Sequence, residues 1–222
     1  MKILLTTLNS KFIHTNLAIR YIKESIKDLI DVDLREYTIN NQLDYILKDI
    51  YLSKYDAIFL STYIWNIYDI VKLCENIKKV NPNVIIGLGG PEVSYDSEEA
   101  MEKYEFVDYI IRGEGEMVMR DLMKHFNGEM DIKHVDGITY RQDGKIIQNK
   151  ERMLLADLDL IPSPYENLDI TEYENRIVYY ETSRGCPFNC QYCLSSAIKG
   201  LRYFGIDRVK RDLKNLIDAR VS

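Results

Sequence analysis

Apolar residues along this chain alternate between two rhythms. Residues 2–8 form a short, nearly continuous apolar run, as a strand buried on both faces would. Over 17–30 the apolar positions Ala18, Ile22, Ile26, Leu29 and Ile30 recur at helical intervals. The same switch repeats along the chain. Residues 32–37, 57–60, 84–88 and 107–111 read as strands, and 43–52, 66–79, 97–104 and 116–126 as helices, with Pro82 ending the helix at 66–79. Five strands alternating with five helices specify an α/β fold, an open flavodoxin- or Rossmann-like parallel sheet with helices on both faces, over residues 1–136. Residues 137–140 and 145–148, joined at Asp143-Gly144, form a hairpin. Residues 151–176 contain Pro162 and Pro164, hold no sustained period and read as a linker, so 137–176 is hairpin and linker. In 177–222 a strand over 177–182 leads into a cysteine loop. A helix follows, capped by Asp207, with Val209, Leu213, Leu216 and Ile217 inward.

Parallel sheets bind ligands beyond the carboxyl ends of their strands, so the loops there are the candidate sites. They contain Asn9 to His14, then Ser61 and Thr62, then Gly89 and Gly90, and finally Arg112-Gly113-Glu114-Gly115-Glu116. Glycines allow close backbone approach, and helix N-termini favour anionic groups. Taken singly, each loop fits a plain strand-to-helix turn equally well. No GxGxxG follows the first strand, which argues against a dinucleotide site.

Three of the four cysteines, Cys186, Cys190 and Cys193, fall within eight residues. Thiolates at these gaps can converge on one soft metal centre from a single loop shaped by Gly185 and Pro187, leaving one coordination position open. A closed zinc site would need a fourth ligand, and no second CxxC pair or histidine pair follows. An iron-sulfur cluster with one open iron fits the count better. A three-thiol zinc site with a remote ligand, or thiols without metal, remain the alternatives. Cys74 sits on the inner face of a helix and reads as a buried small hydrophobe.

Composition narrows the setting. Of 222 residues 46% are hydrophobic, enough for a sizeable core. No run of about 18 uncharged apolar residues occurs, and the amino terminus turns polar too soon for a signal peptide, so a cytoplasmic protein is expected. There, clustered cysteines favour metal over disulfides. The net charge of -6 argues against a dedicated nucleic-acid surface, and the basic run at 208–211 reads as a solvated helix face.

Ser183-Arg184-Gly185 followed by CxxxCxxC resembles the cluster loop of radical S-adenosylmethionine (SAM) enzymes. Together with the five-stranded domain, the linker and the Gly113-Glu114-Gly115-Glu116 run, it resembles the cobalamin-binding radical SAM enzymes over nearly the whole chain. The resemblance implies cobalamin contacts from Ser61, Thr62, Gly89, Gly90, Gly113, Glu114 and Gly115. It also implies a 4Fe-4S cluster on Cys186, Cys190 and Cys193, with SAM beside Tyr192. Reductive cleavage of SAM to a 5'-deoxyadenosyl radical would follow, serving methyl transfer to a substrate carbon or its rearrangement, with flavodoxin or ferredoxin as electron donor. The substrate, a small molecule or another compound, is left open by the resemblance. The family's Asp-x-His is missing after the first strand, where His14 is the nearest histidine, so no protein histidine is expected on the cobalt. A full (β/α) barrel takes roughly 250 residues, so residues 177–222 are expected to begin a truncated barrel and the chain to be a fragment. A cobalamin-binding or sensory module with a vestigial metal loop, and an RNA methylthiotransferase, are the competing readings.

Overall fold

The computed structural model describes residues 1–166, 168–197 and 200–220. Five strands run parallel: β1 (Lys2–Asn9), β2 (Asp31–Thr38), β3 (Ala57–Ser61), β4 (Ile85–Gly89) and β5 (Tyr109–Ile111). Their order is β2-β1-β3-β4-β5, the flavodoxin-like arrangement. The hairpin does not stand apart. Its strands β6 (Ile138–Gln142) and β7 (Lys145–Gln148) continue the sheet antiparallel beside β5, making seven strands. Its turn has Asp143 at φ 50° and Gly144 at φ 75°, the paired positive φ of a type I′ turn.

Helices α1 (Leu17–Ile26), α2 (Leu43–Leu52), α3 (Ile67–Val80), the short α4 (Pro91–Ser94), α5 (Ser97–Lys103) and α6 (Gly115–Phe126) connect these strands. Strand periodicity of two divides the apolar side chains between two cores. Leu4, Leu8, Ile58, Leu60 and Ile86 pack with Ile46 and Ile50 of α2 and with Ile70, Leu73 and Cys74 of α3. Ile3, Leu5 and Phe59 face the opposite way, onto Ile19 of α1 and Met119 and Leu122 of α6. Cys74 is fully buried as expected, and burial pushes its thiol pKa up.

The linker is packed rather than loose. Leu158 and Ile161 bury themselves with Tyr21 in a third core, and α1 therefore hides Arg20 and Tyr21 beyond the expected apolar stripe. Arg20 donates to Glu36 at 3.0 Å and to Glu172 at 2.7 Å, while Arg176 donates to Glu36 at 2.7 Å. This network ties the segment to the sheet. Helix α1 also ends at Ile26, short of the expected 30.

Three expectations for the carboxyl-terminal part change. Residues 177–182 form no regular strand, and only an isolated bridge links Ile177 to His14. The strand lies later: β8 (Ser183–Cys186) pairs antiparallel with β9 (Gly200–Tyr203), so the cysteine loop is the connection of a hairpin. Helix α7 (Ile206–Asp218) follows Gly205, which puts Asp207 in its first turn rather than at the cap. Its inward face is Arg208, Val209, Asp212 and Leu216, whereas Leu213 and Ile217 are 41% and 73% exposed. The polar part of that face is explained by its neighbours. Arg208 Nη1 donates to Leu158 O at 3.2 Å, and Tyr180 Oη donates to Asp212 at 3.3 Å. Among the described residues no helix is long and apolar enough to cross a membrane.

Candidate functional site

Strand order reverses between β1 and β3, and the chain closes that switch point with Asn66. Its Nδ2 donates to Leu8 O at 3.0 Å and Ser61 O at 3.2 Å, while its Oδ1 accepts from Tyr63 N at 2.7 Å. Asn66 is 1% exposed and locks the loop after β3 onto β1. Sequence reasoning passed over it. Its place just before α3, where Asn favours helix starts, was the available signal.

The loops after β3 and β4 also interlock. Thr62 is buried, and both its N–H and its hydroxyl donate to Gly89 O at 2.7 Å. Gly90, at φ 103°, lies so close that a Cβ there would sit 2.4 Å from Thr62 O. Thr62 and Gly89 thus hold one loop against the other, and Ser61 O also accepts from Thr7 Oγ1 at 3.1 Å. Gly115 packs toward Ile22 of α1, 3.0 Å from where its Cβ would be.

Other expected positions open onto a cavity of about 520 Å³ at this edge, within the size range of small-molecule sites. Gly90, Gly113 and Glu114 line it, with Arg112, Leu155 and Leu194. Gly113, at φ 71°, has nothing within 4 Å of where a Cβ would stand, so a ligand can meet its backbone. Cobalamin's combination of an extended apolar face and polar edges suits such a mixed wall.

The cysteine hairpin docks on the same edge through charge. Arg184 of β8 donates to Glu116 at 2.6 Å and to Glu181 at 2.7 Å, with Glu114 at 3.6 Å. Arg202 of β9 donates to both oxygens of Glu114 and, at 2.8 Å, to Leu155 O. Burial works against the Arg184 charge, but Glu116 and Glu181 hold its pKa above the ordinary value. Glu181 is pushed up by burial against the pull of Arg184. Glu114 was expected as a cofactor contact. It is engaged with two arginines that the sequence reading did not single out, although both flank the cysteine loop.

Cys186, Cys190 and Cys193 are half-buried. Gly185, at φ 91°, bends the chain into the loop, and Cys193 N donates to Cys190 O at 3.1 Å in a tight turn. Tyr192 is 93% exposed. Among the described residues no group of three or more His, Cys, Asp or Glu is arranged to hold a metal. The donor set, three soft thiols on one loop, still has the chemistry for an iron-sulfur cluster, and ligand geometry commonly closes only on binding. His14 Nδ1 lies 2.5 Å from Tyr179 Oη.

Residues 3–123 match the family model described as the B12 binding domain. The cobalamin-dependent radical SAM methyltransferase TokK of Streptomyces tokunonensis is 30% identical over 170 residues, covering 72% of this chain and 25% of that protein. An uncharacterised methyltransferase of Pyrococcus horikoshii is 34% identical over 155 residues, covering 67% of this chain and 34% of the relative. The chain thus spans about a quarter to a third of these relatives. Two solved structures share the fold. The cobalamin-dependent SAM radical enzyme OxsB, bound to aqua-cobalamin and SAM, matches with TM-score 0.79 at 22% identity, over 97% of this chain and 32% of that one. The methyltransferase TsrM of Kitasatospora setae, bound to cobalamin and a [4Fe-4S] cluster, matches with TM-score 0.79 at 13% identity, over 100% of this chain and 47% of its own. With the flavodoxin-like strand order and the matched span over 3–123, the chain belongs to the B12-binding domain family.

Proposed function

We propose that this chain is the cofactor-binding part of a cobalamin-dependent radical SAM enzyme, in which Cys186, Cys190 and Cys193 hold a 4Fe-4S cluster and the loops after β4 and β5 hold cobalamin. One observation carries the reading. Arg184 and Arg202, on either side of the cysteine loop, reach Glu116 in the first turn of α6 and Glu114 just before it. The two candidate cofactor sites therefore adjoin, as transfer of a group or an electron between them requires. When bound, the cofactors would supply reductive cleavage of SAM and a methyl group for an unactivated carbon, or a rearrangement of that carbon.

The chain's own residues bind and shield. Gly113 leaves backbone open to the corrinoid, Leu155 and Leu194 give the cavity apolar wall, and Tyr192, which is exposed, would contact SAM. Under this reading residues 1–136 form the cobalamin domain, 137–176 the hairpin and linker, and 177–222 the start of the radical SAM part. A flavodoxin or ferredoxin would be the electron donor, in the cytoplasm. A second reading, a cobalamin-binding or sensory module with a vestigial metal loop, would keep the corrinoid site and hold no cluster. An RNA methylthiotransferase would need more cluster cysteines, and the remaining one, Cys74, is buried in the core.

Anaerobic reconstitution with iron, sulfide and hydroxocobalamin discriminates these readings. The enzyme reading expects about four irons and about one corrinoid per chain. Alanine at Cys186, Cys190 or Cys193 should abolish iron uptake and spare corrinoid, and Cys74→Ala should keep both. Corrinoid without iron would favour the sensory module, and uptake of neither would sink the proposal.

A further inference from the structure

The geometry points to Arg112 as the residue that receives the phosphodiester of cobalamin's nucleotide tail, an inference that rests on the cobalamin reading above. Arg112 follows β5 and lines the 520 Å³ cavity. Its Nη2 donates to main-chain carbonyls alone, those of Asn149, Ile138 at 3.4 Å and Lys150 at 3.5 Å. Its Nε is buried without a hydrogen-bond partner. No carboxylate lies within ion-pair distance among the described residues. Other half-buried or buried arginines differ: Arg152 has Asp121 at 2.7 Å, Arg20 has Glu36 at 3.0 Å and Arg184 has Glu116 at 2.6 Å. Arg141 shares the carbonyl-only pattern, through Met101 O at 2.7 Å, but does not line the cavity.

An uncompensated cation in a partly dry site is costly, and carbonyl dipoles offset only part of that cost. Burial accordingly pushes the Arg112 pKa below its ordinary value, with Glu151 and Glu98 opposing weakly from farther away. Of the carboxylates on the same wall, Glu114 and Glu116 are taken by Arg202 and Arg184, while Glu151 acts on Arg112 only from beyond ion-pair distance, so no carboxylate is paired with Arg112 among the described residues. A ligand that completes this site brings an anion. The corrin rim carries neutral amides, and the formal anion on the periphery of cobalamin is the phosphodiester joining the ring to its nucleotide. A guanidinium fork suits two phosphate oxygens.

The test compares hydroxocobalamin with cobinamide, the same ring without phosphodiester-nucleotide, by equilibrium binding to wild type, Arg112→Met and Arg112→Lys, with thermal unfolding as a check of folding. Wild type is expected to prefer cobalamin. Arg112→Met should weaken cobalamin about 10- to 100-fold and leave cobinamide within about twofold, with Arg112→Lys recovering part of the loss. Equal losses for both ligands, or no loss, would overturn the inference. Should Arg112→Met not fold, Arg112→Lys and Arg112→Gln give the same comparison, read the same way. Any weakening of wild-type cobalamin binding by millimolar inorganic phosphate should disappear in Arg112→Met and be absent for cobinamide; weakening that persists in Arg112→Met would place the phosphodiester elsewhere and overturn the tail assignment. Wild type binding neither corrinoid would refute the cobalamin reading itself, whereas equal binding of both would refute the role of Arg112 alone.

Discussion

Arg184 donates to Glu116 at 2.6 Å across 68 positions of sequence, joining the strand that opens the cysteine loop to the helix that follows β5. The Arg184 side chain is 11% exposed and that of Glu116 7%. Removing the guanidinium leaves the buried Glu116 and the half-buried Glu181 without their shared cation. Arg184→Met is therefore expected to lower stability by about 3–5 kcal/mol in urea unfolding, with Glu116→Gln in the same chain restoring part of it. Equal stability of Arg184→Met and wild type would show the pair to be solvent-screened.

Gly90 and Gly113 share positive φ but differ in space. Gly90→Ala puts a methyl group against Thr62 O and is expected to cost more than about 2 kcal/mol. Gly113→Ala carries only left-handed strain, about 1 kcal/mol, because nothing lies within 4 Å. The same alanine should weaken corrinoid binding while the fold survives. Urea midpoints read the first comparison and equilibrium binding the second.

Truncation after Lys150 removes the segment that covers α1. Both cores flanking the sheet remain, so the shortened chain should still unfold cooperatively, but Tyr21 loses Leu158, Ile161 and Phe204. A lower urea midpoint than that of the full chain is expected. Aggregation of the shortened chain alone would mean that this third core is needed to complete the fold.

His14 Nδ1 is bound by Tyr179, and its main-chain carbonyl accepts from Asn9 at 2.8 Å. Its contribution is to pin the loop after β1 onto residue 179. His14→Ala should leave the paramagnetic spectrum of bound cob(II)alamin unchanged. Loss of nitrogen coupling in that variant would make His14 a cobalt ligand.

Asp121 bridges Lys124 at 3.0 Å and Arg152 at 2.7 Å. Burial raises its pKa, but the two cations outweigh that and hold it below the ordinary 3.8. A depressed carboxylate contributes stability that is present above about pH 4 and lost as the pH falls through the lower folded value. Asp121→Asn should cost about 1 kcal/mol at pH 7, and the difference from wild type in thermal unfolding should shrink as the pH falls below about 4.

The sequence alone determined the alternating strands and helices, the parallel sheet and the cysteine spacing. Hydrophobic period and short-range spacing are local properties, written in residues a few positions apart. The same local reading misplaced the last strand, because residues 177–182 have apolar content but meet only a single bridge, whereas Ser183–Cys186 find a partner at Gly200–Tyr203. It also took the linker to be irregular, since its burial depends on α1, over 130 positions earlier, rather than on any period of its own. Likewise it marked Thr62, Gly89 and Glu114 as ligand contacts, and only the tertiary structure revealed their bonds within the fold, Thr62 to Gly89 O and Arg202 to Glu114. Which polar groups are satisfied inside the fold, and which, like Arg112, are left for a ligand, depends on neighbours brought together across tens of residues. Folding decides that pairing, because each buried charge settles on whichever partner the packed backbone delivers to it.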